Sequence, residues 1–126
     1  MSIISDLYNT LNTNSGVRAI VGITSSPQES RIYPSIAPDG AAYPLIEYTV
    51  ISDAPISTVA GTNDMHRMRI QLSCYGLEHD YDGAKALADA VVAALEGTGY
   101  QEFRIDLYDP ATKRHGVHVD WSYLDP

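Results

Sequence analysis

Residues 65–75 read Met65-His66-Arg67-Met68-Arg69-Ile70-Gln71-Leu72-Ser73-Cys74-Tyr75, with an apolar residue at every second position from Met68 onward. Successive side chains of a strand point to opposite faces. Met68, Ile70, Leu72 and Cys74 therefore share one face, and Arg67, Arg69, Gln71, Ser73 and Tyr75 share the other. One face belongs to a core and one to water, as in an antiparallel sheet covered on a single side.

Downstream the period changes. Ala84, Leu87, Ala88, Val91 and Leu95 recur at helical spacing opposite Asp82, Lys85, Asp89 and Glu96, which predicts a helix from Tyr81 to Glu96. Asp80 is placed to cap its start and Gly97 to adopt the left-handed conformation past its end. Alternation then returns, with Phe103, Ile105 and Leu107 set against Glu102, Arg104, Asp106 and Tyr108. After Asp109-Pro110-Ala111-Thr112, Val117, Val119, Trp121 and Tyr123 are set against His118, Asp120 and Ser122. Two such runs around a turn predict a β-hairpin whose apolar rows face the core.

Upstream, Leu45 to Ile51 is β-branched and aromatic and predicts a further strand. Between it and Met65, Ser52 to Asp64 carries Pro55, Gly61 and Asn63 and reads as a projecting loop. Residues 24–44, with Pro27, Pro34, Pro38 and Pro44, read as loop throughout. At the start, Ile3, Ile4, Leu7, Tyr8 and Leu11 predict a short amphipathic helix. Ser15 is the expected cap of a second helical turn holding Val17, Ile20 and Val21 before Gly22. The expected fold is α+β: a mainly antiparallel four-stranded sheet, with one long helix and short N-terminal helices packed on one face and the other face left polar.

With 126 residues, the chain is long enough for one real core and too short for two, so residues 1–126 are read as one domain. Eight Lys and Arg against sixteen Asp and Glu leave a net charge of −8, which argues against a surface that grips phosphates. Cys74 is the only cysteine and requires no oxidising compartment. No run of apolar residues approaches a membrane span and the N-terminus lacks a basic, apolar leader, so membrane insertion is not expected and synthesis in a cytoplasm is.

Candidate chemistry is sparse. His115 and His118 stand three apart on a predicted strand, hence on opposite faces, and no Cys or His pair has zinc-site spacing. His79, between Glu78 and Asp80, has no Ser or Cys nucleophile tied to it by spacing. Cys74 lies on the apolar face and is expected to be inert. The glycines form neither a dinucleotide fingerprint nor a P-loop. No metal, cofactor or catalytic residue is expected. Two features point to partners instead. Arg67 and Arg69 lie on the outer face of a sheet whose open edges must be blocked or paired. The segment from Ala54 to Asp64 sets the apolar Ile56 and Val59, with Asn63, in a predicted exposed loop, where they would order against a partner.

Longer-range order in the chain adds a resemblance. Arg31-Ile32-Tyr33-Pro34-Ser35-Ile36-Ala37-Pro38-Asp39-Gly40, then Tyr43-Pro44-Leu45-Ile46-Glu47-Tyr48, a strand ending at Tyr75, and a helix containing Leu87-Ala88-Asp89-Ala90 follow one another over most of the chain. This succession resembles the tail-completion, or tail-terminator, proteins of long-tailed bacteriophages (siphophages) and prophages. The resemblance implies a non-enzymatic virion protein made in the bacterial host cytoplasm. It would form a homo-oligomeric, hexameric ring at the head-tail junction, contacting the tail tube protein and the head-tail connector proteins while genomic DNA passes through without specific binding. The residues alone leave other readings open: another connector or minor tail protein, a small enzyme using His79 and Asp80, or a ligand-binding module on the outer sheet face.

Overall fold

The alternating run around Ile70 becomes the middle strand of a five-stranded sheet. A computed structural model describes residues 3–22, 31–37, 43–56, 65–111 and 113–125. In chain order the elements are α1 (Ile3–Thr13), α2 (Ser15–Val21), β1 (Ile32–Pro34), β2 (Leu45–Ile56), β3 (Met65–Glu78), α3 (Tyr81–Leu95), β4 (Gly99–Asp109) and β5 (Arg114–Asp125). The strands lie in the order β1-β2-β3-β5-β4, antiparallel at every junction except β1 with β2, which run parallel.

The register explains the core. Ile46 and Tyr48 of β2 stand opposite Cys74 and Leu72 of β3, which in turn stand opposite Val117 and Val119 of β5, with Ile70 opposite Trp121. All are buried, and α3 packs over β3 and β5 with Ala84, Leu87, Ala88, Val91 and Leu95. Leu7, Leu11, Val17 and Val21 of the N-terminal helices join the same cluster. Each fully buried leucine there contributes about 2 kcal/mol. The Asp80 carboxylate accepts from the Gly83 N–H at 2.9 Å, capping α3 as expected. Past its end, Gly97 takes φ +90, a conformation costly for a residue with a Cβ.

The four-stranded expectation is corrected to a mixed five-stranded sheet, because residues 32–34 form a strand. Pro34 is tolerated there because it ends a three-residue edge strand, where a missing N–H breaks no interior ladder. Tyr33 and Pro34 pair with Glu47 and Tyr48, so the two proline-containing motifs of the sequence lie side by side. Arg31 ties this corner together: its Nε donates to the Pro44 carbonyl at 2.7 Å and its guanidinium to the Ile20 carbonyl at 3.0 Å. At the start of α2 the cap is Asn14, not Ser15, its side chain accepting from the Val17 N–H.

Two further expectations change. Ser52 to Ile56 is strand rather than loop: β2 continues past a bulge after Val50 and remains paired with β3 as far as Ile56 opposite Met65. Pro55 fits because, among the described residues, no strand flanks β2 beyond Tyr48 on its other side. The outer face is also not uniformly polar. β4 alternates as expected, but Phe103, Ile105 and Leu107 face away from the helices and are 47%, 49% and 42% exposed. Toward α3, β4 turns Arg104 and Asp106, which meet Asp89 at 2.8 Å and the Tyr81 hydroxyl at 2.7 Å. A bulge after Gln101 inserts one residue, which sets this phase.

Candidate functional site

The outer face is built from the residues that β3 and β5 turn away from the core. Along β3 these are Arg67, Arg69, Gln71 and Ser73, and along β5 they are His118, Asp120 and Ser122. Diagonal pairs link them. Arg69 donates to Asp120 Oδ2 at 2.6 Å, and Gln71 Nε2 lies 2.7 Å from His118 Nδ1. Arg67 donates through Nε to the Ser122 hydroxyl at 3.1 Å and through its terminal nitrogen to Glu102, which also accepts from Ser122.

This network sets its own electrostatics. The hydrogen bonds from Ser122 and then Arg67 hold the Glu102 carboxyl below the usual carboxylate range, and Glu102 in turn raises Arg67. Burial lowers His118, favouring the neutral ring. Because an amide nitrogen donates, His118 Nδ1 is the acceptor and its proton sits on Nε2. That Nε2 and Asp120 Oδ1 are buried without a hydrogen-bond partner among the described residues.

The apolar row of β4 flanks this network. Phe103, Ile105 and Leu107 stand opposite Asp120, His118 and Gly116, and with Gln71 they border a groove of about 240 Å³. A second cleft of about 460 Å³ opens toward the β4–β5 turn between Tyr43, Glu47, Tyr75, Leu107 and Tyr108. The Tyr75 ring lies over Gly116, where a Cβ would meet it at 2.9 Å. The Arg114 guanidinium stacks on Tyr43, 3.8 Å from the ring centre.

Of the residues singled out from sequence as contact candidates, Arg67 and Arg69 lie together on β3, facing outward and internally paired. Ile56 ends β2 opposite Met65. Val59 and Asn63 lie outside the described residues, as does the rest of residues 57–64. The β4 row was missed because its alternation was assigned to the core. The polar residues between its members, Arg104 and Asp106, carried the contrary signal, since each found a partner on α3.

The groups that invited a catalytic reading are engaged otherwise. His79 takes φ 59 in the turn between β3 and α3, with its side chain 64% exposed, and Asp80 is spent as a helix cap. His115 packs edge-on against Tyr81 and tilted against Tyr108, while His118 contacts Gln71 on the other face. Burial pushes the Cys74 thiol up to about 12, so it is not a thiolate at neutral pH. Among the described residues no three His, Cys, Asp or Glu side chains gather into a metal-binding group, and no helix is long and apolar enough to cross a membrane.

Comparison with curated proteins gives no match. Residues 5–124 match the family described as tail completion protein gp17. Since that match runs over nearly the whole chain, from α1 to the end of β5, the protein belongs to the tail completion protein gp17 family and has a structural role in the phage tail.

Proposed function

We propose that this protein caps the head-proximal end of the phage tail tube as a hexameric ring, ends tube polymerisation and joins the tail to the head connector. The observation that carries this reading is the family match over residues 5–124. Three physical features agree with it. The outer sheet face is an internally cross-linked polar network rather than a reaction centre. Among the described residues no strand pairs with the outer edges of the sheet, which suits them to association. The chain carries a net charge of −8, so a lumen built from it would repel rather than retain passing DNA, whose binding depends on Lys and Arg.

The test is deletion of the gene from the phage or prophage that encodes it, followed by electron microscopy of the lysate beside a complemented strain. The expected result is DNA-filled heads lacking tails, together with unattached tails of abnormal length. Unattached tails of normal length would move the protein from the tube terminus to the connector, and normal virions would overturn the reading.

A further inference from the structure

One row of the outer face lacks a side chain at its centre. In the register, Tyr75 of β3, Gly116 of β5 and Leu107 of β4 stand side by side, and Gly116 leaves a depression against which the Tyr75 ring lies. Tyr43 stands edge-on to Tyr75 with ring centres 6.4 Å apart, and Tyr108 and Asp109 carry the wall on toward the β4–β5 turn. The result is the cleft of about 460 Å³, within the size range of small-ligand sites.

The lining fixes the charge of what enters. It includes the carboxylates of Glu47 and Asp109 and no Lys, Arg or His. Glu47 is half-buried, and its Oε2 accepts from the Ala37 N–H at 2.7 Å, a neutral donor that orients the carboxylate and leaves its charge in place. Among the described residues no Lys, Arg or His forms an ion pair with Glu47. Arg114 lies outside the lining, its guanidinium over the Tyr43 ring. The negative charge is felt inside the cleft: burial first and then the Glu47 carboxylate raise the Tyr75 phenol, with Asp109 adding to them. An anion would meet two carboxylates there, and an apolar group would take Glu47 out of water without a counter-charge. A guanidinium suits both parts of the lining, since it stacks on aromatic faces and donates in its own plane to a carboxylate. Arg114 on Tyr43 is the same stacking made within the chain.

We propose that this cleft receives an arginine side chain from a partner protein, with the guanidinium against the tyrosine rings and hydrogen-bonded to Glu47. The partner is basic at this point, which complements a chain of net charge −8. The inference goes beyond the proposed ring and does not depend on it.

The probe is N-acetyl-arginine N-methylamide, titrated into isotope-labelled protein and followed by NMR amide shifts. Its citrulline analogue, of the same shape without the charge, is the control. The arginine probe is expected to shift the amides of Glu47, Tyr75 and Gly116 and to saturate in the millimolar range. The citrulline analogue should bind about tenfold more weakly, the loss of one charge-assisted hydrogen bond. Glu47→Gln keeps an acceptor for the Ala37 N–H and should bring the arginine probe down to the citrulline level. Tyr108→Ala, at the exposed rim, should also weaken the probe and replaces Glu47→Gln if that variant fails to fold. Equal binding of the two probes, or undiminished binding to either folded variant, would overturn the site. Supplied to the deletion strain, the folded variants are expected to lower the yield of infective particles below that of the wild-type gene. Full yield would overturn the partner, and beside a tail defect on deletion it keeps the proposed function. Selective probe binding with reduced yield, where deletion leaves unattached tails of normal length, keeps this site and rejects the tube terminus.

Discussion

The centre of the sheet and its β4 edge obey the same alternation with opposite consequences. On β3 and β5 the apolar rows, Ile70, Leu72, Val119 and Trp121, lie under α3, and the polar rows form the outer network. On β4 the polar residues Arg104 and Asp106 turn toward α3 and the apolar row turns outward. A period of two states which residues share a face. It does not state which face is covered, because that depends on the element lying opposite.

Substitutions at the two regions separate them by size of effect. Leu72→Ala removes a fully buried side chain between strands and helix and is expected to cost about 3 kcal/mol. Urea denaturation followed by circular dichroism measures it, and a cost below that of an exposed substitution would break the assignment of the core face. Asp120→Ala removes the partner of Arg69 from a nearly buried position and is expected to cost about 2 kcal/mol. Arg69 is partly exposed, so water compensates in part. If Asp120→Ala matched wild type in the same titration, the outer network would be decorative.

Asp80→Ala removes the cap of α3 and should cost about 1 kcal/mol, with Asp80→Asn retaining most of it. Equal losses from the two would mean that charge rather than the hydrogen bond matters there. His118 is read as a slope. Burial lowers its folded pKa beneath the ordinary value of 6.5, so the unfolded chain binds the extra proton first. The stability that neutral His118 contributes is therefore complete above that value and declines as pH falls through it toward the folded pKa. Denaturation midpoints measured across this window should flatten in His118→Gln, and parallel profiles would reject the assignment. The smallest effect belongs to the edge: Ile105→Ala should change the stability of the isolated subunit by less than about 0.5 kcal/mol. A loss as large as that of Leu72→Ala would show that β4 packs inward.

Much of the fold was legible along the chain. The buried faces of β3, β5 and α3, the Asp80 cap and the Gly97 terminus all follow from local period and local backbone chemistry. The outward placement of Arg67 and Arg69 was legible for the same reason. Their partners were not, because Glu102, Asp120 and Ser122 are brought close only when β5, from far along the chain, pairs with β3 and carries β4 on its other side. Residues 32–34 were read as loop because Pro34 forbids an interior strand, whereas the chain uses it at an edge.

Amino-acid order by itself determined the helices, the alternating runs of β3, β4 and β5 and the first part of β2, which side chains share a face there, and a family likeness carried by the succession of motifs. Each of these depends on neighbours a few residues apart, or on order along the chain. Tertiary structure alone decided that β1 lies parallel to β2, that β2 runs on to Ile56, and that β4 turns Phe103, Ile105 and Leu107 to the outside. Those outcomes depend on what stands opposite each face, and that is settled only when distant segments meet over one core.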